Sequence, residues 1–180
     1  MNSSVQSTVL EMLQDRGYTR VEKNGDDLEA EDPLTNKKIL VYYVSDPKVN
    51  VKNIKMIKSH LDKIDVTQVA CLIVVYKYAI TSFAKQFISS DVKDLFVQIF
   101  SEKELSFNIT KHDFVPKHTL LSVKEKSDVL KKYKTKACHF PQILSTDPVC
   151  RYYGVLPGDM LQITRESETC GIHNLYRVVV

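Results

Sequence analysis

Apolar positions change period several times along the chain, and each change predicts an element. From Ser3 to Arg16 they fall three and four apart, at Val5, Val9, Met12 and Leu13, which predicts an amphipathic helix stopped by Gly17. Tyr18–Glu22 and Ile39–Val44 read as strands, with Asn24-Gly-Asp-Asp27 as a turn between them and Asp46-Pro47 as the break that follows. Val51–Lys63 is predicted helical, with Val51, Ile54, Lys58 and Leu61 along one stripe; Lys58 can lay its aliphatic stem there. Val69–Tyr76 is apolar without alternation, which suits a central strand covered on both faces. Thr81–Ser89 is expected as a short helix, and Leu95–Phe100 and Leu105–Ile109 as the last strands of this half. Ser101 and Glu104 have capping-box spacing in a run too short to fix a helix.

Beyond residue 110 the pattern shortens. Lys111–His118 has no periodicity and is expected as an extended connector. Ser122 and Glu125 have the spacing of a capping box for a helix to about Tyr133, with Val123, Val129, Leu130 and Tyr133 as its inward residues. Phe140-Pro141 closes the next loop. Asp147 or Thr146 caps a two-turn helix with Pro148 at its first position and Gly154 at its end. Pro157-Gly158 is a turn, and the runs either side of Ser167–Gly171 predict a hairpin whose last strand is tied into a sheet or a partner. The expected fold class is α/β, α+β overall. Residues 1–110 would form an N-terminal α/β domain, and residues 111–180 a small mixed domain of short helices and a β-hairpin.

Composition adds few restrictions. Of the 180 residues 43% are apolar and 26% charged, as in globular proteins, and the net charge of +3 does not mark a nucleic-acid binder. Its distribution is uneven: residues 1–110 hold 14 Lys and Arg against 15 Asp and Glu, residues 111–180 hold 11 against 7. The excess comes mainly from Lys131, Lys132, Lys134 and Lys136, a run that is more often a solvated face than a phosphate site. No basic-then-apolar leader opens the sequence, and Val69–Tyr76 is too short to span a bilayer as a helix, so no membrane association is expected. Cys71, Cys138, Cys150 and Cys170 form no CxxC pair, which argues for reduced thiols and against zinc. His60, His112, His118, His139 and His173 are dispersed, and no nucleotide-binding, zinc-protease or hydrolase motif occurs. Asp27, Asp46 and Lys48 loosely fit a Mg²⁺-dependent nuclease, but Pro47 would put the Asp46–Lys48 triplet beyond the strand; that fit is treated as chance. No cofactor is expected. These residues alone lead to a two-domain interaction protein.

Ordered motifs in the second half go further. His112-Asp-Phe-Val-Pro-Lys-His118 is similar to the His-x-Leu-Val-Pro-Lys-His signature of RNA polymerase subunit 5, a family that extends to archaea. Thr146–Gly154, Pro157-Gly158-Asp159, Arg165–Gly171 and Tyr176-Arg177 resemble further blocks of that family in the same order, with Phe114 where Leu is usual and Cys170 where Ala is common. Asp15-Arg-Gly-Tyr18 resembles the end of the family's N-terminal helix. The resemblance implies a eukaryotic or eukaryotic-virus member with an N-terminal jaw domain. The shorter Val21–Lys38 segment favours a large DNA virus or a reduced lineage. It would be a non-catalytic subunit of a DNA-directed RNA polymerase, without an active site of its own.

The family's C-terminal domain docks on the largest subunit, among other polymerase subunits, and its jaw lies near the downstream duplex DNA. The interface candidates carried over are His112, Pro116, Lys117, His118, Asp147, Pro148, Arg151, Gly158, Asp159, Arg165, Ser167, Glu168, Thr169, Gly171, Tyr176 and Arg177. A Thr-Pro-Ser-Ala loop of the family corresponds to Thr81-Ser-Phe-Ala84, here without the proline; Thr81, Ser82 and Lys85 are the DNA-proximal candidates. Such a subunit would be nuclear in a cell, or in the host cytoplasm or virion if viral. The alternatives are a stand-alone DNA-binding transcription regulator and, more remotely, the nuclease.

Overall fold

The computed structural model describes residues 3–25, 27–33, 37–46, 48–61, 69–91, 95–167 and 171–180. Pro47, Lys63, Glu168, Thr169 and Cys170 lie outside them, as do the side chains of Lys58, Leu61 and Ser167. The chain divides into two compact units, one up to Phe107 and one from Asn108.

The first unit runs α1 (Ser3–Asp15), β1 (Arg20–Asn24), β2 (Asp27–Glu31), β3 (Lys38–Val44), α2 (Val51–Leu61), β4 (Val69–Tyr76), α3 (Ser82–Asp91) and β5 (Phe96–Ser101). Its five strands lie in the order β1-β2-β3-β4-β5. The first three pair antiparallel, while β3, β4 and β5 pair parallel. Parallel neighbours need a crossover, and α2 and α3 supply the two required. The lack of alternation in β4 has the expected cause. Leu72 and Val74 pack with Ile54 and Ile57 of α2 and Ala84 and Ile88 of α3, whereas Cys71, Ile73 and Val75 are buried on the other face. On that face lies α1, with Val5, Val9, Met12 and Leu13 buried. The Arg16 guanidinium at its end donates to Gln98 Oε1 of β5 at 2.8 Å and sits beside the Cys71 thiol. Gly17, at φ 92, ends the helix.

Several expectations need correction. Asp27 belongs to a strand, not a turn; Asp27–Glu31 is β2, with Leu28 and Ala30 buried between charged residues. Three acids in five positions hid that alternation. The first strand lies at Arg20–Asn24, two residues later than expected. Leu105–Ile109 is not a strand. The Glu104 N–H donates to the Ser101 carbonyl and hydroxyl and the Leu105 N–H also reaches the Ser101 carbonyl, so the chain turns, and of Leu105–Ile109 only Leu105 is buried. A short 3₁₀ turn follows at Ile109–Lys111.

The second unit continues with β6 (Lys117–Leu120), α4 (Val123–Tyr133), β7 (Gln142–Ile143), α5 (Pro148–Tyr153), β8 (Met160–Ser167) and β9 (Gly171–Val179). Its sheet has the order β6-β8-β9-β7, with β8 and β9 as the hairpin and β7 parallel to the end of β9. The connector therefore ends in a strand, β6 on β8. The capping box forms: Ser122 Oγ accepts from the Glu125 N–H at 3.3 Å, and the Glu125 carboxylate accepts from the Ser122 N–H at 2.8 Å. The Ser122 hydroxyl, which donates to the same carboxylate at 2.7 Å, and then the Ser122 N–H hold the Glu125 carboxyl below its usual pKa. Val123 is not inward; it is 88% exposed, and α4 buries no residue fully. An N1 position beside the cap projects away from the sheet, and apolar character alone does not reveal that.

Burial pushes the thiols of Cys71 and Cys150 up to about 11, with Arg16 partly opposing the shift at Cys71 and Asp147 adding to it at Cys150. A thiol raised in this way is neutral below its pKa and a poor nucleophile. At pH 8 iodoacetamide should therefore label the exposed Cys138 well before Cys71 or Cys150, as read by peptide mass mapping of the native protein. Equal labelling of all three would show that these interiors open readily.

Candidate docking surface

The second unit is built around a small apolar centre, Cys150, Val155, Leu161 and Val179, packed by Ile143 and Tyr153. Helix α5 supplies two of these residues and needs firm ends because it is six residues long. Asp147 Oδ1 accepts from the Val149 N–H at 2.9 Å, and Pro148 occupies the first position, where an amide would have no partner. Gly154 closes the helix at φ 66, a left-handed conformation that strains a side-chain-bearing residue, and its N–H turns back to the carbonyls of Cys150 and Arg151. The buried Tyr152 hydroxyl accepts from Asn108 Nδ2 at 3.0 Å.

The turn after α5 is fixed in the same manner. Asp159 Oδ2 accepts from the Leu156 N–H at 2.8 Å, and the Gly158 N–H donates to the Val179 carbonyl at 2.9 Å. Val179 in turn donates to the Asp159 carbonyl at 2.9 Å. Arg177 Nη1 donates to the Gln142 carbonyl at 3.0 Å, tying β9 to β7. The structure thus brings Asp147, Pro148, Gly158, Asp159 and Arg177 into the scaffold, where they hold backbone. Arg151 is half-buried on α5, and Tyr176 packs edge-on against Tyr133 and Phe140.

A different subset faces outward. An open groove of about 670 Å³ is lined by Asp113, Phe114, Pro116, Lys117, Thr164, Arg165, Glu166 and Ile172. Pro116, Lys117 and Arg165 come together there, next to His112, whose ring lies 5.5 Å from that of Phe114. His112 Nδ1 accepts from the Phe114 N–H at 3.2 Å, and His118 Nδ1 donates to the Pro116 carbonyl at 2.7 Å. The two imidazoles thus shape the 112–118 segment around its aromatic. Phe114 is 91% exposed and Ile172 72% exposed. Exposed apolar side chains in a concave surface rimmed by Lys117, Arg165, Asp113 and Glu166 are the anatomy of a protein-binding site, with apolar anchors and a charged rim. Gly171 lies exposed at the hairpin end. Phe114 and Ile172 were not among the candidates, because a single apolar residue in an aperiodic segment gives no sign of which way it points.

In the first unit, Ser82, Phe83 and Lys85 are exposed on the opening turn of α3. The Thr81 hydroxyl is engaged locally, donating to the Val49 carbonyl at 3.1 Å and accepting from the Ala84 N–H at 3.3 Å. Asp27 Oδ1 accepts from the Tyr43 N–H, and Asp46 accepts from the Asn53 amide. Among the described residues no three His, Cys, Asp or Glu side chains gather as they would to hold a metal, and no helix is long and apolar enough to cross a membrane.

The chain is similar to known proteins along nearly its whole length. Residues 107–179 match the family model for RNA polymerase Rpb5, C-terminal domain. Over 98% of its length the chain is 37% identical to the Dictyostelium discoideum DNA-directed RNA polymerases I, II, and III subunit rpabc1, covering 95% of that protein. It is 31% identical to the Caenorhabditis elegans subunit RPABC1 and 34% identical to the Arabidopsis thaliana DNA-directed RNA polymerase subunit 5-like protein 1, in each case over 98% of this chain and 94% of the relative.

If Asp147 and Gly154 serve the scaffold, Asp147→Ala should lower stability by about 0.5–2 kcal/mol through the lost cap. Gly154→Ala should cost roughly 1–2 kcal/mol through the left-handed backbone. Chemical denaturation of the purified chain measures both.

Proposed function

The chain belongs to the RNA polymerase subunit 5 family, and on that footing we propose that it is a non-catalytic subunit of a multisubunit DNA-directed RNA polymerase. The unit from Asn108 is its assembly domain and docks on the largest polymerase subunit, among the other subunits. The unit up to Phe107 is the jaw-like domain and lies by the downstream duplex, with Thr81, Ser82 and Lys85 on the side near DNA. The protein needs no cofactor and has no active site of its own; the nucleotidyl chemistry belongs to its partners. Its relatives are eukaryotic, which supports a nuclear site of action, whereas a viral origin would put it in the host cytoplasm or the virion.

The observation that carries this reading is the groove around Phe114, Arg165 and Ile172 in the unit that the family model matches. A side chain as exposed as Phe114 adds nothing to folding and gains its burial energy only when a partner covers it. His112, Pro116, Lys117, His118, Gly171 and the Ser167–Thr169 stretch adjoin it in sequence. Asp147, Pro148, Arg151, Gly158, Asp159, Tyr176 and Arg177 hold the frame on which it is mounted.

Affinity purification of the tagged full-length chain from its native cells tests the proposal. The parent should recover the largest polymerase subunit. Phe114→Ala combined with Arg165→Ala should reduce that recovery on the order of tenfold or more, as loss of an aromatic anchor does, with an unchanged melting curve. Undiminished recovery by the double variant would rule out this groove as the docking surface, and a parent that captures no polymerase subunit would rule out the function.

A further inference from the structure

A second surface of the same unit is unlike the groove. Between Lys131 and Lys136 the chain carries four lysines and no acid, and all four are exposed. Asp128 stands three and four residues before Lys131 and Lys132, the spacing at which helical ion pairs form. Among the described residues it pairs with neither, and Lys131, Lys132, Lys134 and Lys136 make no side-chain hydrogen bond or ion pair.

Two ordinary explanations account for part of this. Lys131 and Lys132 lie in the last turn of α4, where cations suit the helix dipole. A solvated face also carries charge, but it usually mixes both signs. Neither explains Lys134. It sits at φ 50 and ψ 40 as the C-cap, and among the described residues it alone has positive φ without being glycine. Glycine adopts that conformation freely, and what it lacks is the ammonium group. Strained residues of this kind point to a function kept at a cost in stability.

The array is also held in place. Tyr133, in its midst, meets Phe140 at 5.7 Å and Tyr176 at 5.9 Å between ring centroids, both edge-on, and Phe140 meets Tyr176 at 6.4 Å. This three-ring clamp fastens the turn to β9, so the lysines project from a fixed base.

We propose that the Lys131–Lys136 turn is a contact for the phosphate backbone of duplex nucleic acid. The choice of partner follows from the chemistry. Lysine is depleted from protein–protein interfaces, and the one half-exposed ring beside these charges, Tyr133, is already packed against Phe140 and Tyr176, so an acidic polypeptide fits the segment poorly. Ammonium groups act as point charges and bind phosphate without reading bases. Single strands are held by successive aromatic platforms, and Tyr133 is already committed to two other rings. The contact is thus independent of sequence and strongly dependent on salt. It is a property of the chain itself and does not rest on the polymerase reading.

The test is fluorescence anisotropy of a short labelled DNA duplex with the full-length chain over a range of salt. Four phosphate contacts predict a slope of log K against log salt of roughly −3 to −4. Combining Lys131→Gln, Lys132→Gln, Lys134→Gly and Lys136→Gln should remove most of that slope and weaken binding on the order of tenfold or more at low salt. The charge-keeping combination Lys131→Arg, Lys132→Arg and Lys136→Arg should preserve both. Lys134→Gly alone should bind the duplex less tightly yet melt at a higher temperature, a split that a purely structural lysine would not give. Parent-like affinity and slope in the quadruple variant would overturn the proposal. So would tighter binding of a single-stranded oligonucleotide than of the duplex, or equal competition by an acidic peptide, which would assign the surface to a protein partner.

Discussion

The backbone pairing of the last strand holds the second unit together. Val178, Val179 and Val180 donate in turn to the carbonyls of Pro141, Asp159 and Ile143, and the carbonyls of Val179 and Val180 accept from Gly158 and Ser145. One three-residue segment thereby joins the β7 edge, the turn after α5 and the loop that leads into α5. Each bond contributes on the order of 1 kcal/mol net, and leaving such groups buried and unpaired would cost more. Val179 is at the same time part of the apolar centre. The groove residues sit on the segment leading into β6, on β6 and β8 and at the start of β9, and the positions of these strands follow from this closure. The polar motif residues Asp147, Gly158, Asp159 and Arg177 hold backbone around the same closure.

The two units use their apolar residues differently. In the first, β4 is covered on both faces and the elements on either side contribute large aliphatic side chains. In the second, the buried centre of Cys150, Val155, Leu161 and Val179 is joined by few other buried side chains, Met160 and Tyr152 among them, and several large apolar side chains, Phe114, Ile172, Leu120 and Leu144, are exposed. A unit of about seventy residues has little interior to fill, so apolar side chains beyond that capacity are available to a partner. That economy, together with the uncovered face of α4, makes the second unit a platform with a groove and a charged turn on one small frame.

Legibility in the sequence followed the strength of each local signal. The β4 run, the α1 stripe, the Ser122–Glu125 box and the Asp147-Pro148…Gly154 frame each specify their structure within a few residues, and each forms. β2 was hidden because Glu29 and Glu31 flank Leu28 and Ala30, and a five-residue strand so rich in acids has a turn-like composition. Leu105–Ile109 misled for the opposite reason: its apolar residues looked like a strand, yet Ser101 begins a hydrogen-bonded turn that leaves no partner edge. At the candidate site, motif resemblance spread over the whole second unit without separating scaffold from surface. That separation depends on the direction of side chains such as Phe114, Val123 and Arg177, which is set by tertiary packing.

The Arg16–Gln98 contact spans 82 positions of sequence. During synthesis the last turn of α1 is made long before β4 and β5 can cover it. At typical ribosomal speeds of 5–20 residues per second, Met12 and Arg16 wait roughly 4 to 16 s for β5 to follow. Through that interval the helix carries an uncovered apolar stripe of the kind that chaperones bind and that aggregation exploits. The first unit's yield in a cell therefore depends on how its opening helix is sheltered while the rest of its sheet is still being translated.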